Sequence, residues 1–313
     1  MPMKRIDQIL ERMSDFRNHT TAPVSLGFMD QSSGAECFID GDRTLPAAST
    51  YKVFLLMALY LQIQKGCISS NDPIIMTEED QSPGTGILYS LTPGLHLTLS
   101  DVAVLMIALS DNTAADMLYR FLTPELIQKE ILIPLRLDHT HIESRCRDMI
   151  AQTYGRPVSL QESSEEYFLR SHVSEYARRH IDGTQGNCTS ARDLCTAFRT
   201  IIQGSFFTEK IRQELIRILL LCQNSSRIPC RLPSQIRAAH KTGSLDRIAN
   251  DAGIVFSPTG TYMIAFLWNG EQASSEEYQL NENRRISDPA LACLSKDIYD
   301  IYCAEEKLSC DNH

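Results

Sequence analysis

The chain has 313 residues, 43% of them hydrophobic and 22% charged, enough apolar mass for one large core or two lobes. Its formal net charge of -9 excludes the basic footprint that nucleic acid or an anionic membrane surface requires. No apolar stretch approaches the ~18 residues of a membrane span, and Met1 to Thr20 lacks the charged-then-apolar layout of a signal peptide. As written the chain is expected to be cytoplasmic, or exported with its leader removed.

An amphipathic start, Ile6 to Met13, has apolar residues at helical spacing. Two strand-like runs follow, Val24–Met29 and Glu36–Ile39, with Gln31–Gly34 as the turn between them. Pro46 punctuates, and from Ser49 to about Gln64 the chain is apolar nearly all round, the profile of a buried helix. Ser49 and Lys52 are three apart, so on a helix they share a face. A serine hydroxyl needs a base to act as nucleophile, and a lysine kept neutral by burial or by other cations can supply one. A helix start adds the positive end of the dipole beneath the serine oxygen. Taken alone, the pair reads as a capping serine and a snorkelling lysine, since S-x-x-K occurs often by chance.

Asp80 to Gly94 is polar and glycine-rich and reads as loop. A helix capped at Thr98 or Ser100 then runs through Val102, Leu105, Met106 and Leu109 and stops at Ser110-Asp111-Asn112. That triplet alone is ordinary cap and loop chemistry. Residues 113–137 read helical again, restarting at Thr123-Pro124-Glu125. The segment 151–187 is polar and poorly periodic, an elaborated loop with a helical turn or two near Glu165–Arg178. Helical patterning returns at Ser190–Gly204 and Thr208–Cys222. The period then shortens: Ala238–His240, Ala252–Phe256 and Tyr262–Trp268 are β-rich, Pro258-Thr259-Gly260 divides the last two, and Asp288-Pro289 starts a terminal helix. Lys241-Thr242-Gly243-Ser244 extends one of these strands, with a glycine where a ligand must approach backbone. An edge-strand lysine guarding against aggregation is the alternative reading of Lys241, to be preferred only in the absence of the other two motifs.

Ten cysteines are dispersed without a C-x-x-C pair or a Cys/His spacing that suits zinc. They are expected to be mostly buried free thiols, and no metal or cofactor is expected. Strands at both ends with helices between predict an α+β fold, an antiparallel sheet flanked by helices with a helical lobe inserted. The expected lobes of a single domain over 1–313 are 1–45 with 231–313, and 46–230.

The ordered set Ser49-Thr50-Tyr51-Lys52, Ser110-Asp111-Asn112 and Lys241-Thr242-Gly243 resembles the S-x-x-K, S-D-N, K-T-G signature of class A β-lactamases and penicillin-binding proteins. Thr113-Ala114-Ala115, Asn187–Leu194 and Asn250–Val255 support it, and the likeness covers roughly residues 1–150 and 187–303. The resemblance implies Ser49 as nucleophile, Lys52 as its base, and Ser110 as proton relay to the leaving nitrogen. It implies Lys241 and Thr242 as holders of a substrate carboxylate, Asn112 as a contact to a substrate amide, and an oxyanion hole from the N–H groups of Ser49 and Ser244 beside Gly243. A small-molecule β-lactam, handled by a monomer, is the implied substrate.

In class A enzymes a glutamate between the second and third motifs, followed by a Leu-Asn pair, holds the deacylating water. Counting from Asn112, with Leu135, Leu137, Thr140 and Ile142 as guides, puts Cys146 in the glutamate position and Ile150 in the asparagine position. Glu143, Asp148, or Glu162, Glu165 and Glu166 could take over, and the flanking Arg145 and Arg147 could lower the Cys146 pKa, against a merely structural thiol. The insertion near 151–186 has no counterpart in the family; a lid, a source of the base, and surface decoration all stay open. Acylation is expected to be intact, with acyl-enzyme hydrolysis impaired or differently organised. The alternatives are a D-alanyl peptidase or esterase of the penicillin-binding type, and a β-lactam sensor that is acylated without turnover.

Overall fold

A computed structural model describes residues 4–159, 161–171, 186–245, 247–270 and 280–304. The chain starts with helix α1 (Arg5–Asn18) and strands β1 (Val24–Asp30), β2 (Glu36–Ile39) and the two-residue β3 (Leu45–Pro46). One 3-10 turn, Ala48–Tyr51, leads into α2 (Lys52–Gln64). Next come β4 (Pro73–Ile75), β5 (His96–Thr98), α3 (Leu99–Ala108), α4 (Asn112–Leu122) and α5 (Pro124–Ile127). After α6 (Cys146–Tyr154) and α7 (Ser164–Leu169) lie β6 (Cys188–Thr189), α8 (Ala191–Ile202) and α9 (Glu209–Leu219). Three long strands, β7 (Arg237–Ser244), β8 (Ala249–Ser257) and β9 (Gly260–Trp268), precede the last helix, α10 (Leu280–Cys303).

The main sheet has the order β2-β1-β9-β8-β7, and every neighbouring pair in it is antiparallel. First and last strands of the chain meet at its centre, Val24 opposite Trp268 and Asp30 opposite Tyr262. The fold is therefore α+β, with the sheet built from residues at both ends of the sequence and the helices α2 to α9 between them.

Period-two alternation assigns β9 to two cores. Tyr262, Ile264 and Phe266 join Ile9 and Met13 of α1 and Leu291, Leu294 and Ile298 of α10 on one face. Met263, Ala265 and Leu267 join Leu194, Phe198 and Ile201 of α8 on the other. That two-sided cover is why β9 reads as an unbroken apolar run. Helix α2 is buried from Lys52 through Leu61, as its all-round apolarity predicts.

Several expectations shift. The terminal helix does not start at Asp288-Pro289; Pro289 lies inside α10, where neighbouring turns carry the helix past it. Helix α6 crosses into the segment expected as loop, ending at Gly155 in a left-handed cap (φ 64°). Helix α7, Ser164–Leu169, overlaps the start of the expected turns near Glu165–Arg178, and 172–185 lie outside the described residues. Nine cysteines are described and all nine are free, but only Cys37, Cys146, Cys188 and Cys195 are buried, so most are not. The short pairs β3–β6 and β4–β5 carry no periodic signal in the sequence.

Gly253 marks the tightest fit between sheet strands: a Cβ there would lie 2.4 Å from His240 Cβ and 2.6 Å from the Ala239 carbonyl oxygen. Backbone cannot give way as a side-chain tip can. Gly253→Ala is expected to destabilise the fold by about 1–3 kcal/mol, read as a lower denaturant midpoint at unchanged slope.

Candidate active site

The segment before Ser49 is clamped on several sides. Asn250 Nδ2 donates to the carbonyls of Pro46 (2.9 Å) and Ala47 (3.1 Å), the Ala47 N–H donates to Asn187 O (2.9 Å), and Thr50 Oγ1 donates to Ala47 O (2.6 Å). Ala48 is held at φ 44°, a left-handed conformation that costs a non-glycine residue ~1–3 kcal/mol. Against this turn lies β7. A Cβ on Gly243 would sit 2.8 Å from Ala47 O and 3.1 Å from Ser49 N, so only glycine lets the strand come this near. The approach brings backbone of the third motif alongside the Ser49 amide.

Lys52, fully buried, donates from Nζ to Ser110 O (2.7 Å), Ser110 Oγ (3.4 Å), Asp111 O (3.4 Å) and Asn112 Oδ1 (2.8 Å). Lys241, also fully buried, donates to Ser110 Oγ (3.0 Å) and Thr242 O (2.8 Å). One hydroxyl thus accepts from both ammonium groups. Burial lowers the pKa of Lys52, the nearby Cys146, Asp111 and Asp116 opposing it. Burial likewise brings Lys241 down to about 8, with the Lys52 charge acting in the same direction. Ser110 is held at φ 55°, which lets its carbonyl face Lys52 while Thr85 Oγ1 donates to the same oxygen (2.6 Å). The Asp111 carboxylate caps α4 through the Ala114 N–H (2.9 Å) and takes the N–H groups of Ile87 (2.7 Å) and Leu88 (3.0 Å), fixing the second motif to the glycine-rich loop.

Ser49, half-buried, shares no hydrogen bond with Lys52 among the described residues; the lysine is turned toward Ser110 and Asn112 instead. Asn112 is engaged at both ends, its Oδ1 by Lys52 and its Nδ2 on Pro83 O (2.8 Å). Thr242 is buried, and Ser244 Oγ accepts from Arg227 Nη2 (2.8 Å).

Cys146 lies at the floor of this cluster. Its sulfur is 3.5 Å from Asn112 Oδ1 and 3.1 Å from the Tyr51 hydroxyl. Burial pushes its pKa up to about 12, so it is an inert thiol. The flanking arginines do not activate it: Arg145 pairs with Asp148 (2.9 Å), and Arg147 donates to the carbonyls of Glu78, Gln81 and Val158. The alternative carboxylates are turned elsewhere. Glu143 is exposed, Asp148 is held by Arg145, Glu162 by Arg156 and Arg170, and exposed Glu166 caps its own helix through the Ser163 N–H. Glu165 is exposed as well.

The carboxylate beneath the site belongs to none of the motifs. Asp116 on α4 is fully buried and accepts from the N–H groups of Cys146 (2.6 Å) and Arg147 (2.8 Å) at the start of α6. Burial raises its pKa to about 7 against those two hydrogen bonds and the charge of Lys52. A single carboxylate therefore seats Cys146.

The sequence profile of the beta-lactamase enzyme family matches residues 3–302. The chain belongs to the beta-lactamase enzyme family. No curated protein sequence matches it significantly. Among solved structures it is similar to PBP-A, with a TM-score of 0.76 at 24% identity over 95% of this chain and 96% of that one. It is also similar to the beta-lactamase of Sphaerobacter thermophilus, at 0.73 and 22% over 95% and 97%. A third likeness is to a point mutant of PBP-A as an acyl-enzyme complex with penicillin G, at 0.73 and 23% over 95% and 96%. At these identities the structures share a fold.

The family motifs leave a further buried cation, Arg227, unmentioned. Its guanidinium is fully buried, donating to Asp288 Oδ1 (2.7 Å), the carbonyls of Gly243 (3.2 Å) and Asn250 (2.7 Å), and Ser244 Oγ. It thereby ties the end of β7 to β8 and α10. Nothing in the local pattern of Ser226-Arg227-Ile228 signals this, because its partners are 16 to 61 residues away. Among the described residues no group of three or more His, Cys, Asp or Glu side chains could hold a metal ion, and no helix is long and apolar enough to cross a membrane.

A Lys241 needed in its charged form loses that charge as pH rises through about 8. The second-order rate of acylation by a carboxylate-bearing penicillin is expected to fall along an alkaline limb near that pH. A flat profile from about pH 7 to 9.5 would contradict this role for the lysine.

Proposed function

We propose that this beta-lactamase family member is a serine hydrolase acylated at Ser49 by β-lactams, with slow release of the acyl group. The observation that carries the reading is the Ser110 hydroxyl shared by two buried lysines, Lys52 at 3.4 Å and Lys241 at 3.0 Å. Burial favours the neutral form of Lys52, which can then accept the Ser49 proton as Ser49 Oγ attacks the lactam carbonyl. Charge developing on that oxygen is met by the N–H groups of Ser49 and Ser244, a pair worth on the order of 100-fold or more per donor. Ser110 passes a proton onward to the departing nitrogen. Lys241 and Thr242 hold the substrate carboxylate, and Asn112 faces the substrate amide.

The second half of the cycle lacks its usual base. Cys146 has no charge to give, and both Asp116 oxygens are committed to backbone N–H groups. The neighbouring carboxylates Glu143 and Asp148 are exposed or ion-paired. A slowly turning-over acyl-enzyme follows. That the similar PBP-A mutant is an acyl-enzyme with penicillin G supports the first half of the cycle. Cys146 also favours the second reading, a penicillin-binding-type D-alanyl peptidase or esterase, or a covalent β-lactam sensor.

Intact-mass measurement with penicillin G separates these. The expected result is one stoichiometric adduct on the wild-type chain, persisting after the free drug is removed, and none on Ser49→Ala. Cys146→Glu is expected to shorten the adduct lifetime by roughly 100-fold, the scale of one general base. Adduct formation by Ser49→Ala refutes the assignment, and no adduct on the wild type moves it to peptide or ester substrates.

A further inference from the structure

Helix α7 lies in the segment expected as an insertion, and the chemistry at Ser49 makes no use of it. It is nonetheless firmly docked. Val158 and Tyr167 are buried with Ile150 of α6 in a small core of their own, and Tyr89, Tyr154 and Phe168 pack against it. The Tyr89 hydroxyl, from the glycine-rich loop, donates to the carbonyls of Ser159 (3.0 Å) and Glu162 (3.0 Å), and the Gly84 N–H of the same loop donates to Ser164 Oγ (2.8 Å). Arg147 Nη2 adds a bond from α6 to Val158 O (3.3 Å). The helix is thus tied to the loop that borders the second motif.

Phe168 is the residue this docking brings toward the site. Its ring meets those of Tyr154 (centroids 5.3 Å apart, planes at 74°) and Tyr167 (5.4 Å, 89°) edge to face, which fixes its direction. A Cβ on Gly84 would lie 3.8 Å from Phe168 Cζ and 2.7 Å from Asn112 Nδ2. One missing side chain therefore has the ring edge and the Asn112 amide as its neighbours. Gly84, Thr85 and Gly86 are exposed and Phe168 is half-buried, so this corner opens to solvent.

We propose that α7 forms the side wall of a subsite beside Asn112, with the Phe168 ring as its contact, and that this subsite selects substrates whose acyl side chain carries an aromatic ring. It rests on the reading in which Ser49 is acylated and Asn112 faces the substrate amide. A substituent on that amide extends past Asn112, where Gly84 and Phe168 stand. The edge of an aromatic ring is the positive part of its quadrupole, so a substrate ring offering its face gains an edge-to-face contact that a methyl group does not. The carboxylates of the segment serve elsewhere: Glu162 pairs with Arg156 and Arg170, and Glu165 and Glu166 are exposed. What α7 contributes is a surface and no proton.

The test compares second-order acylation rates within two pairs of compounds. One pair is the phenylacetyl and the acetyl derivative of aminopenicillanic acid; the other is the same two acyl groups on a glycyl-D-lactate ester, read as adduct mass or as released lactate. The phenylacetyl member is expected to react faster in each pair that reacts. Phe168→Ala is expected to cut that preference by about tenfold while the acetyl rate stays within about twofold of wild type. Phe168→Leu keeps apolar bulk against Tyr154 and Tyr167, and so the docking of α7, and is expected to cut the preference by about threefold. No preference in the wild type, a preference unmoved in both variants, or a fall shared equally by both acyl groups overturns the wall and leaves the Ser49 reading standing. Absence of reaction with all four compounds overturns that reading and this proposal with it.

Discussion

Two ammonium groups buried around one serine hydroxyl are the constraint on which the rest of this structure depends. Each cation taken out of water costs several kcal/mol in a folded protein. Among the described residues no carboxylate hydrogen-bonds Lys52 or Lys241 directly; their acceptors are the Ser110, Asp111 and Thr242 carbonyls, the Ser110 hydroxyl and the Asn112 amide oxygen. Neutral acceptors leave the charge incompletely compensated, and that keeps the lysines ready to give up protons. The strained backbone follows from the same need. Ser110 at φ 55° directs its carbonyl to Lys52, and the Asp111 carboxylate, holding three backbone N–H groups, keeps the turn in that shape.

The sheet supplies the opposing half. Lys241 and Gly243 enter from β7, an edge strand whose far side pairs with no further strand among the described residues. Arg227 ties the end of that edge to β8 and α10 through the Gly243 and Asn250 carbonyls, Ser244 and Asp288, and Asn250 of the neighbouring β8 holds the segment before Ser49 through Pro46 and Ala47. Helix packing places Lys52 and the 3-10 turn before α2 places Ser49; strand register places the third motif. Lys52 enters from the first position of α2, which is buried from there to Leu61.

Much of this is legible in the sequence because it is local. The spacing of Ser49 and Lys52, the β-rich apolar run of Tyr262–Trp268, and the Thr98 cap each depend on residues within one turn or one strand. What escapes depends on distant partners. Asp116 looks like one more polar residue of α4 until α6 docks on it, and Arg227 acquires its meaning only when β7 and α10 arrive. The start of α10 lies earlier than the local pattern suggests, because a proline that ordinarily opens a helix is here carried inside a long one. Counting from Asn112 reaches Cys146, and the structure does place that residue beside Asn112; its environment, set by Tyr51 and Asp116, is beyond what neighbouring arginines can indicate.

The proposed reaction is fast in its first half and slow in its second. Stopped-flow mixing with excess chromogenic cephalosporin reads both halves in one trace. One equivalent of product per Ser49 released in a burst, followed by a far slower steady rate, is the predicted result. Linear turnover from the first moment, with no burst, would contradict it.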